Sequence, residues 1–245
     1  MAPPASTFLT AGFVAFPLLL CAALMLGSDW AGRRLAESTR ARVHWAIGVG
    51  AGAAAWLAVT GWLAAAGILR DWDRVPPPFG GFGVAVVALA VFVSFSRLGT
   101  RLIRGLPVAA LVGSQVFRFP LELLMHRAYT EGVMPVQMSY SGRNLDILSG
   151  VSAGLLGLAL ARGPVPRWLV TAWNLGGLAL LVNIVTVAIL STPLFRWFGD
   201  DNLNTWVTYP PFVWLPAVMV TAALIGHLLV FRWLASTGGL PGGPL

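Results

Sequence analysis

The sequence contains no lysine; all 16 of its basic residues are arginines. Chemistry that needs a lysine amine is therefore excluded, a retinal Schiff base included. A single cysteine, Cys21, rules out an internal disulfide and a multi-cysteine metal site. Charge is scarce: 10% of residues carry it, against about 25% in soluble domains, and none precedes Asp29. The hydrolase and nucleotide patterns GxSxG, HExxH and the P-loop are missing. A catalytic reading would have to use Glu122, Asp146 or His126 as acid or base, and nothing in the sequence names a substrate for them.

What fills the chain instead is apolar. With 57% hydrophobic residues and a mean hydropathy of +0.78, it reads as an all-α integral membrane protein. The net charge of +7 would point to nucleic acid in a soluble protein. Here the arginines sit in short loops between apolar runs, so topology explains them and no nucleic-acid partner is expected.

Seven spans are expected, at about 7–27, 44–69, 79–96, 106–127, 144–161, 168–190 and 207–231, each compared with the roughly 20 residues a bilayer core requires. Residues 1–234 then form one seven-helix domain and 235–245 a flexible tail. Arginines cluster in alternate loops (Arg33, Arg34, Arg40 and Arg42; Arg97, Arg101 and Arg104; Arg162 and Arg167; Arg232), which puts the N-terminus outside and the C-terminus in the cytoplasm. Trp30, Trp45, Trp168 and Trp233 are expected at one interface, and Trp72, Tyr129, Tyr140, Trp197 and Trp206 at the other. The implied location is a bacterial inner membrane, with the lipid bilayer as the first partner. In topology alone this resembles rhodopsins and other heptahelical proteins. In the second span Gly48 and Gly52 form a GxxxG, read as a close helix-packing face within the chain or between copies in a homo-oligomer.

Charge interrupts the apolar pattern in one stretch, from Gln115 to Asp146. On a helix, Gln115, Arg118, Glu122 and His126 fall within an arc of about 80° and rise about 16 Å. An ionised group at bilayer depth costs at least a few kcal/mol unless paired or wet, so the stripe should face the bundle interior. Arg118 and Glu122, four residues apart, are expected to neutralise each other. Pro120 between them should kink the helix and free the Val116 carbonyl. Residues 127–142 are expected to roof an outer polar pocket. Asn144 is read as the N-cap of the next helix, with Asp146 in its first turn.

Two readings of this stretch stay open. Gln115, Arg118, Glu122, His126, Asn144 and Asp146 could line a pocket for a small or amphipathic molecule, or they could lock helix register in a subunit of a larger membrane complex. Weaker alternatives concern metals. His44 and His227 could ligate haem b as a bis-imidazole pair in an electron-transfer protein. Met125, His126, Met134 and Met138 could hold Cu(I), although methionine is also ordinary apolar filling.

Overall fold

The computed structural model describes residues 4–237, which contain helices and turns and no strand. Most of the expected tail, residues 238–245, lies outside the described residues. The helices are α1 (Thr7–Arg34), α2 (Thr39–Ala65), α3 (Pro78–Phe95), α4 (Arg97–Gly105), α5 (Val108–Gly113), α6 (Arg118–Thr130), α7 (Ile147–Arg162), α8 (Arg167–Leu190) and α9 (Thr221–Thr237). A 3₁₀ turn, Ser114–Phe117, joins α5 to α6, and a π-helical segment, Leu215–Val220, leads into α9.

Among the described residues, six stretches are long and apolar enough to cross a membrane: α1, α2, α3, the run Val108–Thr130, α8 and Leu215–Ser236. Large apolar side chains such as Phe8, Leu19, Leu26 and Phe92 stand exposed on them, a surface that belongs in lipid. α7 is also apolar but has only 16 residues. At 1.5 Å per residue it reaches about 24 Å, short of a hydrocarbon core of about 30 Å.

Local chemistry moves several expected boundaries. Ser38 caps α2, its Oγ accepting from the Ala41 N–H, so that helix begins at Thr39 rather than near residue 44. The last span was expected from residue 207, but Pro210 and Pro211 lack the N–H a helix interior needs, and regular helix starts only beyond them. Trp206, expected at an interface, is buried against Phe13 and Phe212. Pro120 lies just beyond the 3₁₀ turn Ser114–Phe117. Because α6 begins at Arg118, the proline falls in the first turn, where a missing N–H costs nothing.

The interior is layered. One apolar cluster gathers Leu121, Leu124 and Met125 of α6, Leu181 of α8 and Ala223 of α9 with Phe13 of α1. A second gathers Leu111 and Val112 of α5, Leu156 of α7, Val170 of α8 and Leu229 of α9. Between them along the same helices lie Gln115, Arg118, Asn174 and His227, all buried. α7 makes its closest contacts with the α5–α6 run through small residues. A Cβ on Gly150 would collide with the backbone of Phe119, and one on Gly157 would meet the Gly113 Cα at 3.2 Å.

Both ends are tied. At the arginine-rich end, Arg101 of α4 donates from Nε to Glu37 at 2.9 and 3.1 Å and from Nη1 to Ser28 of α1 at 2.5 Å, and lies over the Trp45 ring. At the other end, Glu131 accepts from the Ser6 N–H and Oγ, each at 2.8 Å, and from Arg127 Nε at 2.6 Å. The Ser6 N–H, then the Ser6 hydroxyl and Arg127, hold the Glu131 carboxyl below the usual glutamate range.

Two predictions follow from this packing. Gly150→Ala should lower stability by about 1–3 kcal/mol through overpacking, whereas Gly48→Ala, with no atom within 4 Å of the new Cβ, should leave the thermal midpoint unchanged or raised. The Ser6–Glu131 tether favours the ionised carboxylate, so it is fully present at neutral pH. It is lost as pH falls through the depressed Glu131 value. Hydrogen exchange at the first turn of α1 should therefore accelerate below the usual glutamate range in wild type, and Glu131→Gln should show fast exchange already at neutral pH.

Candidate functional site

Arg118 is the largest of the fully buried side chains. It stands ten residues from Val108, in the middle of the run Val108–Thr130. Its Nε donates to Asp146 Oδ2 at 2.7 Å and its Nη2 to Asp146 Oδ1, a bidentate pair. Nη1 donates to His227 Nε2 at 2.7 Å. A guanidinium is only a donor, so Nε2 must be the acceptor and the His227 ring proton sits on Nδ1. From there it is donated to Asn174 Oδ1 at 2.8 Å, while Asn174 Nδ2 donates to the His227 carbonyl at 3.1 Å. Four elements are joined in this way: α6, the start of α7, α8 and α9.

The expected Arg118–Glu122 pair is therefore corrected: the partner of Arg118 is Asp146, 28 residues away in sequence. Glu122, also buried, instead accepts from Asn144 Nδ2 at 2.9 and 2.8 Å. Asn144 is not the N-cap of α7. Asp146 occupies that position, its backbone N–H donating to Asn144 Oδ1 at 3.1 Å and its carboxylate turned to Arg118. His126 is set apart from the others, with Nδ1 3.0 Å from Ser139 Oγ and its ring stacked on Tyr140.

The later part of the segment expected to roof a pocket, with the residues that follow it, enters the bundle. Gln137, Met138, Ser139, Asn144 and Asp146 are all buried, and Gln137 Nε2 donates to Ser191 Oγ and to the Asn202 carbonyl. The chain leaving α6 thus turns back into the bundle and begins α7 beside Arg118. Met125, Met134 and Met138 belong to the apolar core, which accounts for them as packing. The haem reading of His44 and His227 also lacks a basis. Both His227 ring nitrogens are engaged, and the exposed His44 lies against the Arg40 carbonyl. No group of three or more His, Cys, Asp and Glu among the described residues is placed to hold a metal ion.

The open space lies beside the cluster, not within it. A cavity of about 1170 Å³ is lined by α1 from Leu20 to Trp30, α2 from Trp45 to Trp56, the end of α3, the α5 region and the last helix. α2 packs along α1 and α3 along α9, joined near the 3₁₀ turn Ile68–Arg70. Gly48 and Gly52 line the cavity, and a Cβ on either would meet nothing within 4 Å. Within the chain, the GxxxG brings no other helix close. Of the candidate residues, Gln115 is the one that lines this cavity. The π-helical segment forms part of its wall, and the Ala217 carbonyl there accepts from Trp56 Nε1 at 2.7 Å and Thr221 Oγ at 2.8 Å.

Sequence reasoning missed His227 and Asn174 as members of the cluster, and the whole cavity. Polar residues in the middle of apolar runs were the available sign for the first two. For the cavity the sign was the glycine spacing, read as its opposite. No family model matches this chain, and no match was found among curated proteins or solved structures.

The assignment of Asp146 is testable by unfolding measurements. Removing one partner of a buried pair costs about 3–5 kcal/mol, whereas replacing both by apolar residues is neutral or stabilising. Arg118→Met should be rescued by Asp146→Leu and not by Glu122→Leu. The opposite pattern would restore the pairing within α6.

Proposed function

We propose that this chain is a multi-pass protein of a bacterial inner membrane that binds or carries a small amphipathic molecule in the cavity beside Gln115. The observation that carries this reading is the cavity itself. Helices within a bundle ordinarily pack with few gaps larger than a water molecule, yet a half-open cleft of about 1170 Å³ runs along two exposed glycines, next to a polar cluster that fixes the surrounding helices. Its lining is mainly aliphatic and aromatic with few polar groups, the usual make-up of a small-molecule site. The cluster around Arg118 serves as the frame of the site.

The same reading includes seven crossings, α7 and its buried lead-in making the short one, with the N-terminus outside. The arginine-rich ends support this orientation by the positive-inside rule. It sets the cavity, which runs toward Trp30, Trp45 and Arg97, in the cytoplasmic half of the bilayer.

Native mass spectrometry of protein released from lipid nanodiscs tests the binding. Wild type should retain a non-protein mass, and Gly48→Leu with Gly52→Leu should lose it while keeping the wild-type thermal midpoint. Wild type that flies bare, with a second protein co-purifying, would favour a structural subunit of a complex instead.

A further inference from the structure

The polar groups around the cavity define the head group of its occupant, given the binding reading above. Ser96, Ser114 and Thr221 line it, and each hydroxyl donates to a carbonyl of its own helical run: Val93 at 2.8 Å, Leu111 at 2.7 Å and Ala217 at 2.8 Å. They offer no free donor to a ligand. Gln115 is different. It is 1% exposed, it lines the cavity, and its Oε1 has no hydrogen-bond partner. The amide lies against Gly226 of α9, where any Cβ would collide with it. A buried acceptor left unpaired is destabilising, so the occupant that relieves it must bring a donor.

Charge narrows the class further. Arg118, one helical turn beyond Gln115, already serves Asp146 and His227, which leaves no cation there for an anionic head. A carboxylate or phosphate ester is moreover an acceptor and would leave the Gln115 oxygen unpaired. Arg97 lies at the other end of the lining, exposed to solvent, and needs no partner. From Leu20 to Trp30 the α1 wall measures about 15 Å, half of a bilayer core. The apolar body of a ligand seated at Gln115 therefore reaches the interface within a single leaflet.

We propose that the cavity takes an uncharged amphipath head first, with a hydroxyl or N–H donating to Gln115 and a hydrocarbon body running toward Trp30 and Trp45. Cys21, the chain's one cysteine, lines the same cavity and reports its occupancy. In nanodiscs, the rate of Cys21 labelling by a lipid-soluble maleimide is measured against increasing dodecanol, dodecane and dodecanoate, which share a chain length and differ in head. Dodecanol should protect at about tenfold lower concentration than either of the others, the worth of one hydrogen bond. Gln115→Leu should abolish that advantage. Should that variant fail to fold, Gly226→Ala, which displaces only the end of the Gln115 side chain, should do the same. Equal protection by dodecane would overturn the head-group assignment while leaving the cavity as a binding site. So would stronger protection by dodecanoate that disappears in Arg97→Gln. Failure of all three to protect wild type would overturn the binding reading itself.

Discussion

The burial of one guanidinium governs this fold. Arg118 cannot shed its charge, and in the middle of an apolar bundle an unpaired cation is worth several kcal/mol of destabilisation. Its donors need acceptors from every side, and they come from Asp146 at the head of α7, His227 of α9 and the Gly177 carbonyl of α8. Asp146 can reach only if α7 starts beside the middle of the run Val108–Thr130. The segment after α6 therefore folds back into the bundle, and α7 is too short to cross a hydrocarbon core alone. The glycines that let α7 approach the α5–α6 run serve the same requirement.

Scaffold and site are thereby separated. Around Arg118 the polar groups answer one another, and the two apolar layers on either side keep water away. Beside them α2 and α3 are held by different neighbours, α1 and α9, and the space they share is not filled. Gln115 belongs to both regions: it follows the helical face of Arg118, yet its amide borders the cavity and lacks a partner there. The polar groups around Arg118 hold the fold, and Gln115, whose oxygen is unanswered where it borders the cavity, points to a ligand.

Much of this was legible in the sequence. Hydropathy located the long apolar helices, and helical periodicity turned Gln115, Arg118 and Glu122 inward, where they are buried. The partner of Arg118 was not legible, because local spacing favours Glu122 four residues on, while the actual choice depends on where a loop with no pattern of its own folds back. His227 was placed near a helix end because α9 was expected to stop at residue 231; the helix runs to Thr237 and sets His227 well inside it. GxxxG was read as a contact because small residues permit close approach. Permission does not compel contact, and at Gly48 and Gly52 the neighbouring helix stays away.

The division between frame and site is tested most directly by comparing ligand retention in two variants purified side by side in nanodiscs, Arg118→Met with Asp146→Leu, and Gln115→Leu. The expected result is that the first, with its frame repacked by apolar groups, still carries the bound mass of wild type, and that the second folds equally well but loses most of it. Loss of the ligand from the first variant and full retention in the second would contradict this division, and would return the binding role to the buried ion pair.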